Sequence, residues 1–236
     1  MKSLLLLVFC LLLAPTLALA QDEGVVALTG DYTYEGGSGD GAYTGTVTLA
    51  GTGPVYWLSY SDDLGEAGED TGESVAVAWD SVVVSAFGEA CSPGTLVRQS
   101  DGTLFGLWPD DSSGVGTAVG VEVGIPQGET TGFAGTYDFV GTYADGSQYV
   151  TTTTITENEG GWYDIVYTYS SDETATDGFV DDLGIGLAVG NVLGYAYTSE
   201  DSPCEPYVID LTGGAFAGYY PDGNGGIATE TGSRAE

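Results

Sequence analysis

No histidine occurs in the 236 residues, and only three residues are basic: Lys2, Arg98 and Arg234. Without imidazole, neither a Ser-His-Asp nor a Cys-His nucleophile can be assembled, and metal sites built on histidine are excluded. Against the three basic residues stand 35 acidic ones, for a net charge of −32. Charge of that sign repels phosphate backbones and anionic lipid alike, so nucleic acid and membrane surfaces are excluded as partners. Long apolar runs are also scarce. The run from Leu4 to Leu13 is too short to cross a bilayer, and no later stretch is long enough for membrane insertion.

That early run has another reading. It follows Lys2 and precedes "APTLALA", with small residues at Ala18 and Ala20, and this is the pattern of a secretory signal peptide over residues 1–20. The mature chain then begins at Gln21, Cys10 is removed with the leader, and the protein is exported, either secreted or held at the periplasm or cell surface. Acidity of this degree destabilises a compact body by self-repulsion, so it reads as adaptation to salty water, where counterions screen it. Chelation of calcium by some of the carboxylates is compatible with that reading. No other cofactor is implied.

What the chain does have is the same sequence written twice. "GDYTYEGGSGDGAYTG" at 30–45 and "GTYDFVGTYADGSQYV" at 135–150 fit one template, G-x-Y-x-[YF]-x-G-x-x-x-D-G. The correspondence continues through "VYWLSY" at 55–60 and "WYDIVY" at 162–167, and ends with "LFGLWPD" at 104–110 and "FAGYYPD" at 216–222. Each copy alternates apolar and polar residues with period two and is punctuated by Gly, Asp, Asn and Ser. In "YTGTVTL" at 43–49, for example, Tyr43, Gly45, Val47 and Leu49 share one face and the threonines the other.

The first copy shows about eight strand-like runs, near 30–35, 43–50, 55–61, 74–79, 82–88, 95–100, 103–108 and 115–122. The expected architecture is therefore all-β: two tandem antiparallel meander domains of about eight strands, each closed into a small barrel. The expected division places the first repeat at 21–123, a linker at 124–132 with Pro126 and Gly128, and the second repeat at 133–236. One joint barrel or sandwich is the rival.

The G-x-Y opening, the following Y-x-G strand and the late G-x-[WY] strand resemble small meander barrels of the avidin and lipocalin kind. The pattern is also similar to tandem-repeat exported bacterial β-meander proteins of unknown function. The arginine that closes the lipocalin base has no counterpart in this sequence.

Three sets of residues are candidates for chemistry. The first is "DDLGEAGEDTGE", with Asp62, Asp63, Glu66, Glu69, Asp70 and Glu73, and its counterpart holding Asp172, Glu173, Asp177, Asp181 and Asp182. Both stretches fall between the third and fourth strands and read as loops, either plain solvated acid or oxygen ligands for calcium. Asp101, Asp145 and Asp222 precede glycines and read as turn residues. The second set is aromatic. Tyr32, Tyr34, Trp57, Trp79 and Trp108 correspond in the second copy to Tyr137, Phe139, Asp164 or its neighbour Tyr163, Val189 and Tyr220, and they either fill barrel cores or line a mouth. The third is Cys91 with Cys204, at equivalent places in the two copies, where an exported chain favours a disulfide.

A glycosidase built on two carboxylates is the enzymatic route left open, yet no motif singles out a pair. The sequence therefore reads as a non-catalytic binding or cell-surface interaction protein with an unidentified extracellular ligand or surface partner. A structural or adhesive envelope component is the rival reading.

Overall fold

The computed structural model describes residues 28–38, 41–88, 90–110, 118–169, 181–198 and 204–235. The expected leader lies outside them. The alternation seen in the sequence produces sixteen strands: β1 (Gly30–Ser38), β2 (Gly41–Thr52), β3 (Val55–Asp63), β4 (Glu69–Trp79), β5 (Val82–Phe87), β6 (Ser92–Arg98), β7 (Leu104–Pro109), β8 (Val119–Pro126), β9 (Gly135–Thr142), β10 (Gln148–Glu157), β11 (Tyr163–Tyr169), β12 (Asp181–Val189), β13 (Val192–Thr198), β14 (Glu205–Asp210), β15 (Ala215–Pro221) and β16 (Ile227–Arg234). They close into two antiparallel barrels of eight strands each. The expected fold class is the observed one.

The division of the chain between the barrels differs from the expected one. Around the first barrel the order is β1-β2-β3-β4-β5-β14-β15-β16, and around the second it is β9-β10-β11-β12-β13-β6-β7-β8. Each copy contributes five strands to one barrel and three to the other. The physical reason is that β6–β8 and β14–β16 are near equivalents, so either set completes either barrel. Residues 124–132 are consequently no linker between domains. β8 extends to Pro126 and pairs with β9, with Gly124 opposite Phe139, which makes this stretch a connection inside the second barrel. The chain passes from the first barrel to the second between β5 and β6, and back between β13 and β14. Cys91 and Cys204 form a disulfide at these crossings, with Cα atoms 5.7 Å apart, as the sequence led us to expect.

Exchange also explains why some strands are apolar on both faces. β5, β6, β13 and β14 are buried along nearly their whole length. One face of each looks into a barrel. The other joins a third core between the barrels, where Val77, Val84, Val97, Leu107, Leu187 and Val208 meet and Trp79 packs edge-on against Phe105 at 5.3 Å.

The G-x-Y opening builds the closed end of each barrel. Tyr32 donates its hydroxyl to the Leu28 carbonyl at 2.8 Å, and Tyr137 repeats this with Phe133 at 3.0 Å. The preceding segment is thereby tied beneath the barrel floor. Gly30 and Gly135 turn into the strand at φ 151° and 156°, backbone that a side chain rarely adopts. The arginines absent from the sequence reading of the base are found here. Arg234 lies against Gly30, donates to the Thr29 carbonyl, and stands 6.0 Å from the Tyr32 ring. Arg98 reaches Thr130 at 3.5 Å in the second barrel. One arginine therefore serves each floor.

Inside the barrels, large rings alternate with glycines on the neighbouring strand. Tyr43 lies opposite Gly36, Tyr60 opposite Gly72, Tyr195 opposite Gly94, Trp108 opposite Gly120 and Tyr149 opposite Gly141. A Cβ added at Gly141 would come 2.1 Å from ring carbons of Tyr149. An eight-stranded barrel has just enough interior for side chains, so a ring crosses it only over a residue with none.

Gly141→Ala therefore overpacks the lumen and lowers the urea midpoint by the equivalent of about 1–3 kcal/mol. Gly128→Ala, with no atom within 4 Å of its Cβ, leaves the midpoint unchanged. Equal midpoints for the two variants would show that the rings move aside freely. The disulfide spans 113 residues, so replacing both cysteines by serine should destabilise the fold by about 2–5 kcal/mol in the same measurement.

Candidate functional site

Each barrel holds one glutamate in its interior. In the second barrel it is Glu122 on β8, 1 % exposed. The inward position follows from the pleat, since Gly120 and Gly124 share its face. Gly106, opposite on β7, leaves the room, because a Cβ there would meet the Glu122 side chain at 2.4 Å. Three phenols from three strands converge on the carboxylate. Tyr149 of β10 donates at 3.0 Å, Tyr195 of β13 at 3.0 Å and Tyr167 of β11 at 3.3 Å. Burial pushes the Glu122 carboxyl up to about 7, and the three hydroxyls pull only part of the way back. Burial, followed by the neighbouring carboxylate, drives Tyr167 and Tyr195 far above the ordinary phenol value.

The first barrel has the same centre in different clothing. Glu230 of β16 is 4 % exposed and accepts from Tyr207 of β14 and, at 2.5 Å, from Tyr43 of β2. Burial raises its carboxyl as well, against the pull of those two hydroxyls. Tyr43 also meets the Tyr220 hydroxyl at 2.7 Å, and Tyr34 donates to Asp62. These bonds close the mouth of the first barrel.

Among the described residues the mouth of the second barrel is open. A cup of about 110 Å³ descends to Glu122 between Trp108, Tyr143, Tyr149, Tyr169, Tyr197 and Asp182. Tyr169 donates to Asp182 at 2.5 Å. Trp108, Tyr143 and Tyr149 pack against one another with centroids 5.4–6.1 Å apart. A larger concavity of about 800 Å³ lies on the outer wall of the first barrel, among Thr33, Glu35, Thr44, Thr46, Asp63 and Glu69. It is open to solvent and lined by outward hydroxyls and acids, and it has neither the buried acid nor the cluster of rings found in the cup.

The first acidic stretch is mostly strand, where the sequence suggested a loop. β3 continues to Asp63 and β4 begins at Glu69, because alternation persists through the acids. Asp62 points inward beside Tyr34 and lies opposite Asp70 in register. Asp63 accepts the Gly65 amide at 2.9 Å, Glu69 accepts Ser61 at 2.7 Å, Glu66 sits in the short turn Gly65–Ala67, and exposed Glu73 pairs with Ser59 across the strands. In the second copy Asp181 opens β12 and Asp182 lines the cup, while Asp172, Glu173 and Asp177 lie outside the described residues. Among the described residues no three acidic or cysteine side chains converge as a metal cage would require. Asp101, Asp145 and Asp222 each accept the amide two residues on, at 2.8–3.0 Å, which is turn chemistry.

The aromatic candidates divide. Tyr32, Tyr34 and Trp108 face barrel interiors, Trp79 joins the core between the barrels, and Trp57 stands on the outer surface at 48 % exposure. Sequence reasoning missed Glu122 and Glu230. Their signal was present in "GVEVG" at 120–124 and "ATETG" at 228–232, an acid on the inward face of a strand between small residues in both copies.

Because the folded Glu122 binds its proton up to about 7 and the unfolded chain releases it near 4.5, the native state holds the extra proton between those values. Stability contributed by this group is therefore fully present below 4.5 and falls as pH rises through 7, by about 1.4 kcal/mol per unit and about 3 kcal/mol in all. Glu122→Gln should remove that slope from urea midpoints measured in high salt, leaving the trends from Glu230 and Asp62, whose carboxyls burial also raises. An unchanged slope would place the titration elsewhere. No family model, curated protein or solved structure matches this chain, so any reading of its function rests on the geometry of these two centres.

Proposed function

We propose that the chain is a non-catalytic binding protein that acts outside the cytoplasm and receives its ligand in the mouth of the second barrel. The observation that carries this reading is the cup over Glu122. It is concave, ringed by aromatic side chains, and floored by a polar group held in one position by three hydrogen bonds. Those are the attributes of a preformed site. Its volume is well below the roughly 300–1,000 Å³ of pockets that enclose drug-sized ligands. The ligand is therefore very small, or inserts only one end. A pyranose ring does not fit within it, which weighs against the glycosidase reading.

A rigid spacer with no dedicated site would fill both barrels alike. Among the described residues the first barrel is filled at its mouth by the Tyr43–Tyr220 contact, whereas the second keeps a cup there. That asymmetry favours binding over a purely structural role.

The test is a small-molecule screen read by the indole NMR signals of the four tryptophans. Ligands of the cup should shift Trp108 saturably and leave Trp57, outside the first barrel, unmoved. Compounds that shift only Trp57, or none, would point to the structural reading.

A further inference from the structure

We propose that the cup of the second barrel is a site for the head of a small organic ammonium ion, one per chain. This rests on the binding reading above and specifies its ligand. The first argument is a donor count. The hydroxyls of Tyr149, Tyr167 and Tyr195 are all given to Glu122, and that of Tyr169 is given to Asp182. These hydroxyls have no proton left to offer. Facing the cavity they leave lone pairs on oxygen and the π-faces of rings, both of which attract positive charge. A carboxylate or phosphate ligand would be brought against the Glu122 and Asp182 carboxyls with no basic side chain beside it, and is disfavoured.

The second argument is charge. Two carboxyl groups, Glu122 and Asp182, border the cup, and no basic side chain lines it. Both arginines of the mature chain lie at barrel floors, with Arg98 at Thr130 and Arg234 at Thr29. A cation entering the cup would supply the counter-charge the site lacks. The third argument is size and softness. A cavity of about 110 Å³ holds about four waters at roughly 30 Å³ each, which is the scale of a methylated ammonium group. Its walls are mostly ring, with Trp108, Tyr143 and Tyr149 forming one corner. A hard divalent ion needs six or more oxygens around it, whereas a methylated ammonium is held by ring faces and a carboxylate at longer range.

The experiment is a titration of the full mature chain in low-salt buffer, read by the Trp108 indole signal and by calorimetry. The probes are choline, tetramethylammonium and 3,3-dimethylbutan-1-ol, the neutral carbon isostere of choline. Choline and tetramethylammonium should bind with a stoichiometry of one, and the alcohol at least tenfold more weakly. Asp182→Asn should weaken both cations about tenfold while leaving the melt of the protein unchanged. Tyr143→Phe, which keeps the ring, should leave binding intact, whereas Tyr143→Ala should weaken it. If the alcohol binds as well as choline, the cup is an apolar site; the binding reading then stands and the ammonium inference falls. Displacement of choline by an equal concentration of sodium would also overturn the inference. If no probe moves Trp108, this inference fails, and a negative wider screen would remove the binding reading with it.

Discussion

A ring can cross the inside of an eight-stranded barrel only above a residue without a side chain, and most of this protein follows from that constraint. The 39 glycines and 16 tyrosines are two halves of one device. Where Tyr149 lies over Gly141, or Tyr195 over Gly94, the ring covers bare backbone and its hydroxyl is carried toward the barrel axis. Several tyrosines treated this way bring several hydroxyls to one point. Buried hydroxyls without an acceptor cost about 1–3 kcal/mol each, so the convergence demands an acceptor at its centre. A carboxylate, with about four lone-pair directions, answers three phenols at once. The glutamate on β8 or β16 is thus the partner that a tyrosine-filled barrel requires, and its displaced pKa is the consequence of meeting that requirement away from water.

Exchange of three strands has a comparable logic. Two barrels side by side, each made from one repeat, would need only one covalent connection. Here the chain passes between them at both crossings and again ties those crossings with the Cys91–Cys204 bridge. The strands nearest the crossings then have no solvent face. "VVVSAF" at 82–87 is buried on both sides, inward against Tyr207 and outward against Val97 and Val192. The pair of barrels consequently shares a core, and neither barrel is a free-standing domain of consecutive residues.

Strand existence was legible because period-two alternation is a direct print of the pleat. Seven of the eight runs read in the first copy overlap an observed strand by most of their length, and the eighth, 115–122, begins outside the described residues and meets β8 from Val119. The division between barrels was not legible, because pairing β5 with β6 or with β14 satisfies the same alternation and the same hydrophobic faces. Nothing local distinguishes the two. The acidic stretch at 62–73 failed for a different reason. Charge suggested solvated loop, yet Asp62 is an inward residue whose partner, Tyr34, lies across the sheet, and only three-dimensional register reveals it. The arginines were passed over because a lone basic residue at a strand end carries no signature. Glu122 and Glu230 were within reach, since an acid at an inward strand position in both copies contradicts the apolar pattern twice.

The two barrels reach the same contact by different residues, which separates what the fold needs from what the site can vary. In the first barrel, β14 supplies Tyr207 opposite Ser85 of β5. In the second, the equivalent strands are β6 and β13, and there the small residue and the ring have changed places: Gly94 stands opposite Tyr195. Both tyrosines donate to the local glutamate. A ring that was merely filling space would not need to bring its hydroxyl back to the same acceptor after moving to the neighbouring strand. The donor–acceptor pair is therefore the invariant, and the strand that carries it is not. At the mouths the opposite holds. Tyr220 is matched by Trp108 and Gly72 by Asp182, so among the described residues the first barrel is closed by a phenol pair and the second has an acid and an indole around its cup. Among the described residues the differences between the barrels lie at the rim, while the buried donor–acceptor pair is kept in both, which is what the binding role proposed for the second barrel requires.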